Sequence, residues 1–169
     1  MSGRADTQIF YTRLQRRLHW LVLVLLAGQY LLQGAMRRAL SAIESEQTLD
    51  FSQFIVTTLH TWSGISIAMI MIWRWSLRKR HVPINGGRAS GALERWVRYH
   101  HTSLYVAVWV MALSGAAHYY LHWQHAARWH ELGKWVLAGL VISHVAGALL
   151  HAARGSTVLR QMMGISSLR

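Results

Sequence analysis

The stretch WVLAGLVISHVAGALLHAA, residues 135–153, decides the fold of this chain. It contains no charged side chain and has the length of about 20 residues that a helix needs to cross a bilayer. His144 and His151 stand seven residues apart in it, so both leave the helix on one face, about 10.5 Å apart along the axis. That separation is too large for one metal ion. It predicts two stacked sites, each taking one imidazole from this helix.

Three other apolar runs have a similar length, and they lie at residues 18–36, 54–73 and 102–121. A soluble helix bundle would carry a polar residue on every exposed turn, whereas these runs do not. We therefore predict an all-α integral membrane four-helix bundle that forms a single domain over residues 1–169. The predicted helices lie at about 18–36, 54–75, 100–122 and 132–153.

The charged residues are few and clustered, with 18 Lys and Arg against 6 Asp and Glu. Most of the basic residues precede the first run, follow the last or fill the connection between the second and third, which places them on one side of the membrane. By the positive-inside rule that side is cytoplasmic, so we expect both termini inside and the protein in a bacterial inner membrane. The net charge of +12 is thus a topology signal rather than a sign of nucleic-acid binding. Because the chain has no cysteine, disulfides, iron–sulfur clusters and haem attachment through Cys-x-x-Cys-His are excluded.

The depth of each histidine in its predicted helix indicates which of them can meet. His19 and His151 both lie near the inner surface, and His60 and His144 both lie some turns below the outer surface. Buried histidines need partners in a region so poor in polar groups. Two b-type haems with bis-histidine ligation would satisfy all four, leaving each iron to carry electrons. His101 lies at a depth similar to that of His19 and is the alternative ligand.

Other residues near these positions have two readings. Arg74 and Arg98 at the membrane edge suit haem propionates, but they also fit a topology role alone. Gly64 follows His60 by one turn, as Gly147 follows His144, where a macrocycle could lie against the helix; small residues equally serve helix packing.

The outer end of the chain is rich in histidine. His130 lies 14 residues before His144 and would stand above the outer haem, where we expect it to act on an approaching substrate as the catalytic residue. His118 and His122 have the one-turn spacing of many zinc or copper ligands, although solvated interfacial histidines are the commoner case.

Several motifs make the chain resemble the bacterial cytochrome b561 family of four-helix di-haem membrane proteins, and within it the superoxide oxidases, which are superoxide:ubiquinone oxidoreductases. The resemblance covers nearly the whole chain. In the first two predicted helices it is carried by Thr12-Arg13-Leu14-Gln15 before His19-Trp20, and by Leu59-His60 before Gly64-Ile65-Ser66-Ile67 and Arg74. In the rest of the chain it is carried by His101 before Tyr105, Trp129-His130-Glu131, His144, His151, and Leu159-Arg160-Gln161-Met162-Met163. It implies haem ligation by His19, His60, His144 and His151, a quinone partner such as ubiquinone in the membrane, and single-electron transfer through two haems.

Three functions follow from these observations. The first is a respiratory-chain cytochrome that passes electrons between the quinone pool and a periplasmic redox protein, or serves as the cytochrome b subunit of a periplasmic oxidoreductase. The second is an enzyme that oxidises superoxide at the outer face. The superoxide anion would be attracted to this face by cations such as Arg37, Arg38, Arg128 and Lys134. The third is a scaffold without haem, whose histidines bind zinc or form hydrogen bonds.

Overall fold

The computed structural model describes residues 11–80 and 91–165, and within them it is helical without any strand. The helices are α1 (Arg13–Leu31), α2 (Gln33–Glu44), α3 (Phe51–Arg80), α4 (Ala92–Leu121), α5 (Gln124–Ala153) and α6 (Val158–Met163). Helices α3, α4 and α5 each have 30 residues, so each is about 45 Å long and extends beyond the hydrocarbon core.

The membrane-spanning helices agree in number with the prediction, but only if two of them are joined. α3, α4 and α5 are each long and apolar enough to cross a membrane, and the number reaches four when α1 and α2, which are bent by 54° relative to each other, are counted as one span. The bend at Leu32 lies between Gly28 and Gly34, and glycine weakens a helix.

Helix α2 occupies part of the segment that was expected to be an outer connection, residues 37–53. One face of α2 packs against α3 and buries Ala39 and Ala42. The apolar face of α2 is too short and too interrupted by charged residues to predict a membrane span from the sequence. It is nevertheless sufficient to hold α2 against α3.

Helix α5 begins at Gln124, well before the predicted start near residue 132. The added residues are mostly polar, so hydropathy alone gave no sign of the extra turns. The consequence is that His130 lies within α5 rather than in a loop above it.

The centre of the helix assembly is an apolar layer formed by Val22, Ile67, Met71, Tyr105, Val108 and Leu137. Many large apolar side chains elsewhere on the helices are exposed, as expected for surfaces that face lipid.

At one end of the assembly the start of α1 meets α3 and α6. Arg74 of α3 donates to the carbonyl of Gln15 at 2.8 Å, and Trp20 of α1 donates to the carbonyl of Met162 at 3.0 Å. This is the end that carries most of the described basic residues. The opposite end holds α2 and the start of α5.

Candidate functional site

The histidines of the helical core form two clusters at different depths. In the outer cluster the ring centres of His60 on α3 and His130 on α5 lie 6.3 Å apart, with the ring planes at 70°. In the inner cluster the ring centres of His19 on α1 and His144 on α5 lie 6.2 Å apart, with the planes at 65°. Helix α5 thus contributes one histidine to each cluster.

The two separations have a chemical meaning. A bond between an imidazole nitrogen and a first-row transition metal such as zinc is about 2 Å long, and each ring centre lies about 1 Å further back, so two imidazoles on opposite sides of one metal have ring centres a little over 6 Å apart. Both pairs match this value. Because each pair joins different helices, the fold itself holds the two rings at this distance.

The orientation of His130 is fixed by helix α4. Its Nδ1 donates to the carbonyl of Met111 at 2.9 Å, and the Ser114 hydroxyl oxygen lies 3.3 Å from the same nitrogen. The proton is therefore on Nδ1, and Nε2 keeps the lone pair that a metal ligand needs. A hydrogen bond of this kind from the second ring nitrogen is usual for metal-binding histidines.

Gly115 makes room for His130. A Cβ atom at this position would lie 2.9 Å from His130 Cε1, closer than real contacts allow, and a tight 3.1 Å from Nδ1. Sequence reasoning missed Met111, Ser114 and Gly115. The available signal was the stretch of small residues at 114–117, near the end of the third apolar run.

His60 is held through its backbone rather than its ring. Gln29 of α1 donates to the His60 carbonyl at 2.9 Å and to the Ser63 hydroxyl at 3.0 Å. The Nδ1 atom of His60 is buried and has no hydrogen-bond partner among the described residues.

The inner cluster contains two further histidines from α4. His100 and His101 have ring centres 6.1 Å and 5.1 Å from that of His144, and His100 stacks on Trp96. His101 donates through Nδ1 to the Val97 carbonyl at 2.8 Å. His101, the predicted alternative to His19, is thus part of the inner cluster. Its ring centre lies closer to that of His144 than the ring centres of the His19–His144 and His60–His130 pairs lie to each other.

The ring contacts differ from the pairing that was expected from depth. His19 approaches His144 rather than His151, and His60 approaches His130 rather than His144. The cause is the early start of α5, which brings His130 down into the core and leaves His151 exposed in the last turn. The histidines of α5 that share the core face are therefore separated by 14 residues, not seven.

The remaining predicted residues fall in different places. Arg74 lies at the inner cluster, where it interacts electrostatically with His19 and His144, whereas Arg98 is exposed. A Cβ on Gly64 would touch Gln29 at 3.4 Å, so this glycine serves the contact between α3 and α1; beside Gly147 there is open space among the described residues.

The proposed surface metal site is not formed by the described residues. His122 follows the end of α4 in a left-handed conformation, with φ of 51°, so it is not one helical turn from His118. Throughout residues 11–80 and 91–165, no three side chains of His, Asp or Glu converge as a metal site made only of protein would require.

The fold and the site define a helical membrane protein in which histidines from different helices meet in two clusters. Residues 10–164 match the family model described as prokaryotic cytochrome b561, and the chain belongs to this family. It is accordingly a multi-pass membrane cytochrome of the b type, with haem b as its cofactor and electron transfer as its activity. A comparison with curated proteins finds no match.

Proposed function

We propose that this cytochrome holds two haems, an outer one between His60 and His130 and an inner one between His19 and His144. The observation that carries the proposal is the nearly equal separation of the two ring pairs, 6.3 Å and 6.2 Å, at two depths of one helix assembly. A haem with two histidine ligands exchanges single electrons and has no open position for oxygen.

Helix α5 links the two sites. His130 and His144 are 14 residues apart, which corresponds to a rise of about 21 Å. Leu137 lies halfway between them, in the apolar layer of the core. An electron that moves from one site to the other therefore crosses most of the hydrocarbon core within protein, which excludes water from its path.

The protein groups around each pair have separate roles in this proposal. The Met111 carbonyl keeps the His130 ring in one tautomer and one orientation. At the inner site, Arg74 supplies positive charge beside His19 and suits a propionate. With this assignment His130 would hold the haem iron rather than act on substrate, and His151 would lie outside the ligand set.

The proposed orientation places the basic end, with both termini, in the cytoplasm of a bacterial cell. Quinone would be the electron-transfer partner within the membrane, and a redox protein would be the partner at the periplasmic face. Arg37 and Lys134, two of the cations expected to attract superoxide, both contact the carboxylate of Glu131. Glu131 offsets one of these two positive charges, which weakens the attraction for superoxide and favours a periplasmic redox protein as the partner.

Haem content tests the ligand assignment. The purified protein should contain two low-spin b haems per chain, and the variants His130→Ala and His60→Ala should each retain only the inner one. His151→Ala is the matched control from the same helix and should retain both. Loss of a haem in His151→Ala, together with two haems in His130→Ala, would overturn the assignment.

A second measurement separates the two kinds of outer partner. The purified protein is exposed to a superoxide source and then to ubiquinone, while the haem spectrum is recorded. We expect haems that stay oxidised, which fits a dedicated protein partner. Haems that superoxide reduces and ubiquinone reoxidises would instead establish an enzyme of the superoxide oxidase type.

A further inference from the structure

Lys134 is a buried cation inside an apolar helix. Only 8% of its surface is exposed, and it lies one turn beyond His130 on α5. Its Nζ contacts a carboxylate oxygen of Glu131 and lies 5.3 Å from the ring centre of Trp135, while the Tyr30 hydroxyl donates to its backbone carbonyl at 2.6 Å. An ionisable residue in such a position is costly and therefore calls for a functional explanation.

The charges around Lys134 compensate it only in part. The Glu131 carboxylate also accepts a hydrogen bond from the Arg37 guanidinium at 3.0 Å. Arg37, Glu131 and Lys134 together therefore carry one net positive charge. The side chains of Arg37 and Glu131 are 63% and 55% exposed, and that of Lys134 is 10% exposed. Water and salt screen the first two charges, whereas the charge of Lys134 acts on the interior with little screening.

We infer that Lys134 raises the midpoint potential of the outer haem, an inference that rests on the proposed haem between His60 and His130. Reduction removes one positive charge from a ferric iron, so a nearby cation favours the reduced state. Lys134 is four residues from His130 and ten from His144, or about 6 Å and 15 Å along the helix axis. The cation therefore affects the outer site more than the inner one.

A redox titration of the purified protein, followed in the haem absorption bands, tests this inference. Lys134→Met keeps the length of the side chain and removes its charge. We expect the reduction equilibrium of the outer haem to fall on the order of tenfold, a shift of about 59 mV to lower potential. The inner haem should shift much less, and Glu131→Gln should shift the outer potential upward.

Two controls make the test specific. Lys134→Arg keeps the charge and should keep the outer potential near that of the wild type. Arg128→Gln removes an exposed cation two residues before His130, and solvent screening should leave the potential unchanged. Both haems must retain low-spin spectra in each variant. If Lys134→Met loses a haem, the Lys134→Gln variant is used in place of Lys134→Met.

The inference is overturned if Lys134→Met and Lys134→Gln leave the outer potential unchanged, or if Lys134→Arg lowers it as much as Lys134→Met does. The second result would assign the effect to packing rather than to charge. A wild-type protein without haem would instead refute the proposed function, so the two failures are distinct.

Discussion

Replacing Gly115 by alanine should weaken the proposed outer haem site without unfolding the protein. The added Cβ atom would lie 2.9 Å from His130 Cε1, and ordinary contact requires at least 3.4 Å, so the ring must move by about half an ångström. The same ring is held by the hydrogen bond from Nδ1 to Met111 at 2.9 Å. It cannot move away from α4 without stretching that bond.

The expected size of the effect follows from this conflict. Overpacking of a well-filled site costs about 1–3 kcal/mol, and the same amount lost from haem binding weakens it by about 5- to 150-fold. The inner site should not change, because His19 and His144 lie on the far side of the apolar layer.

The assay is the haem content per chain, measured by absorption and completed by titration of the depleted protein with free haem. Gly139→Ala on α5 is the matched control, since nothing among the described residues lies within 4 Å of the new Cβ. Both variants gain the same helix propensity, about 1 kcal/mol. Equal outer-haem binding in Gly115→Ala, Gly139→Ala and the wild type would refute the reasoning.

Two further predictions concern the ends of the helices. Arg74→Leu removes the hydrogen bond to the Gln15 carbonyl and the charge beside the inner cluster, so we expect reduced binding of the inner haem, with the outer haem retained in the same spectrum. Asp50→Ala removes the cap of α3, where the Ser52 hydroxyl and then the Gln53 amide lower the pKa of the Asp50 carboxyl by donating to it. The stabilisation by Asp50 is complete above the ordinary carboxyl pKa and is lost as the pH falls through the lowered pKa. The melting temperatures of wild type and variant, measured in detergent, should therefore converge in acid. A difference that stays constant with pH would contradict this prediction.

The sequence predicted the fold class because apolar length has a direct physical meaning in a membrane. The absence of charge in residues 135–153, and in three comparable runs, sufficed for an all-helical membrane protein. Local signals did not give the limits of the helices. The polar residues from Gln124 onward continue α5 without any change in hydropathy that marks its start, and α2 is amphipathic rather than apolar.

The sequence alone therefore predicted that buried histidines on membrane helices bind haem, since an unpaired imidazole is costly in hydrocarbon. Only the tertiary structure decided which histidines meet. The pairing of His60 with His130 and of His19 with His144 depends on where α5 begins and on how the helices are offset along their axes. These offsets are set by contacts between helices, such as Gly115 against His130, that are distant in sequence and leave no periodic pattern in it.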